Sequence, residues 1–212
     1  MTAAMKLTPI FLLLAAALPA ADTPPPVEFR VSSAFPKYVT ADIEFRDATG
    51  AKWPNFFYGK PVGDTGLISL DAAKPAAAFT LLCDKMAQDK GDQSRKVLGE
   101  LSAPEKPPVV TLSVTSLGPL QPAAGKEKDK PEFTADLTGT LEIAGRKTPF
   151  KAAATLRHHS GKGDEKNIAL MLEARATLFP AALGLKAITT PLEMRLGLTA
   201  YPPQPAGNPT KK

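Results

Sequence analysis

From Phe133 to Leu156 the chain alternates apolar and polar residues through two long consecutive runs, and few folds tolerate such a pattern. In FTADLTGTLEIAGRKTPFKAAATL the odd positions Phe133, Ala135, Leu137, Gly139, Leu141 and Ile143 are apolar. Thr134, Asp136, Thr138, Thr140 and Glu142 between them are polar. Ala144-Gly145-Arg146-Lys147 breaks the alternation, and Gly145 is free to take positive φ. The apolar row resumes on Phe150, Ala152, Ala154 and Leu156. The stretch therefore reads as a hairpin of two long strands, greasy on one face and wet on the other. An antiparallel sheet lying on a core has this form, and so does a barrel wrapped around an interior.

The same period recurs along the rest of the chain. Val27–Val31 alternates, and Val39, Ala41, Ile43 and Phe45 form a second apolar row. Asp47–Asn55 is turn-rich, and Trp53, Phe56, Phe57 and Tyr58 crowd beside it; such aromatics either rim a ligand entrance or plug one end of a core. Gly66–Leu70 and Ala76–Cys83 read as strands; Pro75 and the alternation of Phe79, Leu81 and Cys83 weigh against an Ala-rich helix there. Asp92–Ala103 reads as one short amphipathic helix, ended by Pro104, Pro107 and Pro108. Val109–Leu117 is a strand and Gly118–Pro131 a polar loop. After the hairpin come strands at Asn167–Leu178 and from Pro191 to Ala200, joined by an irregular connection over Phe179–Lys186. Eight or nine such strands predict an all-β fold, and long regular antiparallel strands in succession favour an eight-stranded up-and-down barrel, whose closure leaves no exposed edge.

Residues 1–21 have the make-up of a secretory signal peptide: Lys6, the apolar run Ile10–Leu18, then Pro19-Ala-Ala21. The run is shorter than the roughly 20 apolar residues a membrane-spanning helix needs. The expected organisation is a signal peptide over 1–21, one β-barrel domain over 22–203 and a polar Pro-rich tail over 204–212, with the mature protein periplasmic or secreted. The net charge of +5 is not gathered into a stripe, and acids and bases alternate in Lys126-Glu-Lys-Asp-Lys130. This argues against nucleic acid as a partner and leaves a weak, salt-sensitive attraction to anionic membrane surfaces, enough for transient contact. Cys83 is the single cysteine, so no internal disulfide holds the fold; it reads as a small buried hydrophobe.

Little in the sequence carries chemistry. There is no G-x-S-x-G, no H-E-x-x-H and no Gly-rich phosphate loop after a strand. His158 and His159, the only histidines, are adjacent on a strand and point to opposite faces, so they cannot grip one metal together; both are expected at a solvated hairpin end. No catalytic residue, metal site or cofactor is expected.

What remains is the inner surface. Its rows are Leu, Ile, Val, Phe, Met and Ala, with Ala135, Ala152, Ala154, Ala174 and Ala176 where a filled barrel wants bulk. The space this leaves is either a ligand tunnel or room for a bulky neighbour to cross. A tunnel would be dry, and each CH₂ buried in it would contribute about 0.8 kcal/mol. The side chains expected to line it are Leu137, Leu141 and Ile143, then Phe150 and Leu156, then Leu170, Leu172, Phe179 and Leu185, and finally Met194 and Leu196.

The hairpin also carries a likeness. Gly139-Thr-Leu-Glu-Ile-Ala-Gly145 followed by Pro149 resembles the "G-x-L-x-I-x-G … P" hairpin of the YceI-like, polyisoprenoid-binding family. Gly66-Leu-Ile-Ser-Leu-Asp71 is similar to that family's "G-x-I-x-L-D" strand and Pro108–Leu117 to its "P-x-I-x-F-x-S" strand, while Leu183-Gly184-Leu185 matches the end of its "R-x-x-F-G-L" segment. The resemblance runs over roughly 66–200. It implies an exported, lipocalin-like antiparallel barrel whose interior holds a polyisoprenoid, quinone or fatty-acid-like chain. The competing expectation is a filled barrel without ligand, acting through its surface as a periplasmic stress or protein-interaction module.

Overall fold

The computed structural model describes residues 27–33, 41–46, 52–87, 109–123, 131–160, 168–186 and 189–203. They form β1 (Glu28–Val31), β2 (Ala41–Arg46), β3 (Lys52–Pro61), β4 (Gly66–Ser69), β5 (Ala76–Ala87), β6 (Val110–Leu117), β7 (Gln121–Ala123), β8 (Glu132–Ile143), β9 (Arg146–Ser160), β10 (Ile168–Leu178) and β11 (Leu192–Ala200). A 3₁₀ turn, Pro180–Leu183, lies between β10 and β11. The expected signal peptide, the tail and the helix over Asp92–Ala103 lie outside the described residues.

Hydrogen bonding runs full circle. The order β5-β3-β2-β11-β10-β9-β8-β6 is antiparallel throughout, and β6 pairs back onto β5, closing a ring of eight strands. The other three strands lengthen members of that ring. β1 and β4 pair with each other as β2 and β3 do, and β4 follows β3 along the same partner, β5. Arg30 of β1 bridges Tyr201, just beyond the end of β11. β7 follows β6 along β8. The protein is an all-β, antiparallel, eight-stranded lipocalin-like barrel in which sequential strands are neighbours.

The register keeps one face inward all the way round. Leu141 stands opposite Leu112, Ile143 opposite Val110, Leu172 opposite Leu156, and Leu196 opposite Ala174 on one side and Ile43 on the other. At the closing seam Phe79, Leu81 and Cys83 meet Val114, Leu112 and Val110, while Thr80 and Ser113 share a hydroxyl hydrogen bond of 3.2 Å on the outer face. A slip of one residue in any pairing would turn a whole inner row out to water, which is why the alternation specifies the register as well as the strands. Across the outer face run ion pairs such as Lys151 with Asp136 and Lys147 with Glu142, each worth at most about 1 kcal/mol in water.

Some local expectations shift. The turn-rich reading of Asp47–Asn55 gives way at Lys52, where β3 begins. Its pairing with β2 changes register between Ile43 and Phe45, which leaves Pro54 at an irregularity where its missing N–H breaks no regular ladder. The expected loop over Gly118–Pro131 contains β7. The connection after β10 is not wholly irregular: Pro180 opens the 3₁₀ turn, and Gly184 at φ 67° ends it.

Candidate functional site: the barrel interior

The interior is built from the even positions of β9 and β10 and the odd positions of β8. Leu137, Leu141, Ile143, Phe150, Leu156, Leu170, Leu172, Met194 and Leu196 are all buried in one continuous core. Leu185 is buried too, beyond the end of β10, where the 3₁₀ turn folds Leu183 and Leu185 back into that core. Phe179 is the exception. It is 65% exposed, because Leu178 takes the last inward place on β10 and the next residue falls on the outer side of the pleat. Phe179 therefore does not line the interior.

The alanines converge. Ala135 on β8 stands opposite Ala154 on β9, which stands opposite Ala174 on β10. Ala152 and Ala176 flank this row on β9 and β10, opposite Leu137 and Met194. The result is a belt of methyl groups across three adjacent strands, buried at Ala154 and Ala174 and partly buried at Ala135. Lower down, a gap of this kind is bridged. The ring of Phe150 covers Gly139, and a Cβ on Gly139 would lie 2.9 Å from that ring and 2.1 Å from the carbonyl oxygen of Ser113. Glycine is required there because β6 shifts register between Val114 and Ser116 and its backbone comes close.

The two mouths differ. At the one carrying the β8–β9 turn, Ala144 and Gly145 both have positive φ, 50° and 80°, the pattern of a two-residue hairpin loop. Beside it Arg146 donates from Nη1 to the carbonyl oxygens of Leu183 (2.9 Å) and Gly184 (3.1 Å), fastening the 3₁₀ turn to β9. Gly184 allows this approach, since a Cβ there would stand 2.7 Å from the guanidinium. Phe179 and Val109 are exposed apolar residues at this mouth, and Lys147 at the start of β9 and Lys186 after the 3₁₀ turn are exposed there too.

The opposite mouth holds His158. The two histidines do take opposite faces, but only His159 is solvated. His158 is 8% exposed, and its ring meets that of Phe29 edge-on, with centroids 5.3 Å apart and planes at 67°. β9 and β1 are not neighbours in the ring of strands, so this contact is a chord through the inside of the barrel. The solvated end expected for His158 fails because β1, which lengthens the wall beyond β2, supplies Phe29 and covers it. Its Nε2 has no hydrogen-bond partner among the described residues. Burial lowers its pKa below the ordinary 6.5, so the imidazole is neutral at physiological pH.

The remaining buried polar side chains have partners. Ser32 Oγ donates to Asp64 (2.7 Å), Glu44 pairs with Arg46, Ser69 Oγ accepts from the Asp71 N–H (3.4 Å), and Thr148 donates to a carbonyl (3.4 Å). Among the described residues no three His, Cys, Asp or Glu side chains come together as a metal site, and Cys83 is a buried thiol outside any disulfide. The side chains of Trp53, Phe56, Phe57 and Tyr58, read as a rim or a plug, lie outside the described residues. No family model matches the chain, and no curated protein matches it either.

Proposed function

We propose that this chain is an exported binding protein of the YceI-like kind, not an enzyme, and that it holds a long apolar ligand (a polyisoprenoid or quinone, or a fatty-acid-like lipid) inside the barrel. The observation that carries this reading is the alanine belt, where three consecutive strands of a closed apolar barrel present methyl groups to the interior. An eight-stranded barrel is wide enough for one small ligand when its interior side chains are short. Such a ligand would be held chiefly by dehydration of its chain, with few directional contacts. The exposed Phe179 and Val109 suit brief contact with a membrane surface at that mouth, where a lipid would enter or leave.

The test is organic extraction of protein purified from the periplasm, followed by mass spectrometry. A single isoprenoid or acyl species near one per chain is the expected result. No extractable lipid, and none taken up on later exposure to quinones, prenols or fatty acids, would defeat the proposal. That result would favour the second reading, a filled barrel working through its surface, which the packing of Phe150 over Gly139 supports.

A further inference from the structure

Among the described buried polar side chains, His158 is the one without an evident task. It is more than nine-tenths buried, its Nε2 lacks a partner among the described residues, and it lies on the inward row of β9, two inward positions from Ala154. A buried polar atom left unsatisfied costs stability, and an apolar ring of the same shape would fill this place against Phe29 without that cost. The belt of alanines and the orphaned nitrogen are independent features, and they occupy the same interior.

We propose that His158 is the polar anchor of the barrel: its Nε2 hydrogen-bonds a single neutral oxygen, a hydroxyl or a carbonyl, at the head of a long-chain amphiphile whose tail lies along the alanine belt. The inference rests on the reading of the barrel as a ligand carrier and adds to it the chemistry of the ligand's head and the mouth at which that head sits. A neutral oxygen fits where a carboxylate does not. Among the described residues the other buried polar groups are already engaged, and none of the buried ones is a lysine or arginine that could balance an anion. A carboxylate would have to be neutralised by protonating His158 itself, against the effect of burial on that ring. A neutral imidazole either donates to a carbonyl or accepts from a hydroxyl according to its tautomer, so prenols, fatty alcohols and quinones share the required chemistry.

The test uses the full chain stripped of lipid and three probes of equal length: octadecane, octadecan-1-ol and octadecanoic acid. Radiolabelled octadecan-1-ol is titrated directly and the other two compete with it. The wild type is expected to prefer the alcohol to the alkane by about tenfold, the worth of one buried hydrogen bond. His158→Phe is expected to bring the two within about twofold while binding octadecane undiminished. A variant that keeps the preference overturns the assignment, as does a wild type that binds both probes equally, although the hollow barrel then stands. A wild type that prefers the acid overturns the neutral head group. If no probe binds, the carrier reading falls and the anchor with it. A second measurement needs no variant: in ¹⁵N-imidazole NMR spectra the Nε2 resonance of His158 is expected to move on adding octadecan-1-ol but not octadecane, with His159 as internal control. An unmoved resonance means that a trapped water or no partner serves this nitrogen, and overturns the proposal.

Discussion

At the scale of single residues, His158 is where this barrel gives up stability. Its ring is held between the inner row of β9 and Phe29 with a nitrogen unsatisfied among the described residues, so the protein carries a cost that an apolar ring would lack. His158→Phe should therefore raise the stability of lipid-free protein by about 1–3 kcal/mol, read from denaturant midpoints. The same residue sets a pH dependence. Its folded pKa is lowered by burial, so over a window beginning near 6.5 and extending downward the unfolded chain binds a proton that the folded chain refuses. Stability should thus fall as the pH drops below 6.5, and in His158→Phe this part of the acid sensitivity should vanish. Equal slopes in the two proteins between about pH 7 and pH 5 would show that the ring is not buried in its neutral form. Glu193 adds a further loss at lower pH: its hydrogen bond from Arg195, with the charges of Arg195, Arg175 and Arg46, holds its carboxyl below the usual range, against a smaller desolvation effect.

At the scale of elements, the 3₁₀ turn is the piece of the barrel that does least for the ring of strands and most for a mouth. It buries Leu183 and Leu185 but pairs with no strand, and two hydrogen bonds from Arg146 fasten its end. Arg146→Met removes those bonds and keeps much of the apolar stem. Amide exchange at Gly184 and Leu185, whose N–H groups bond back to Ala181 and Pro180, should then quicken by about tenfold, while β8 and β9 keep their protection. Uniform quickening across the hairpin would mean that Arg146 supports the whole mouth and not the turn alone. Most of the strands were legible from alternation because each buries one face; β3 and β7 were not. The 3₁₀ turn was not: FPAALGLK has no period, and its shape depends on where Arg146 and the core lie in space.

For the whole molecule the open quantity is interior volume, and the alanine belt is the place to probe it. Ala154→Leu and Ala174→Phe each add bulk within the belt. In a hollow barrel these variants should fold with near-normal stability and lose lipid uptake; in a filled one overpacking should cost about 1–3 kcal/mol. Thermal unfolding and lipid loading measured on the same preparations separate the two outcomes. Closure gives β8 and β9 a partner on each side, so strands as long as these offer no template for aggregation.

Alternation was enough for most of the strands, their inward faces and an eight-stranded antiparallel barrel, because burial of one face is a local demand repeated every second residue, but β3 and β7 escaped it. It was enough also to place Leu137, Leu141, Ile143, Phe150 and Leu156 inside. It could not say which strand ends would be covered, since cover comes from residues distant in the chain. Phe29, far from His158 in sequence, turns an expected solvated histidine into a buried one, and the pleat at the end of β10 turns Phe179 outward. Whether small side chains on three strands leave a tunnel or admit their neighbours is likewise decided by packing across the barrel, where Phe150 fills the place over Gly139 and alanine faces alanine above it.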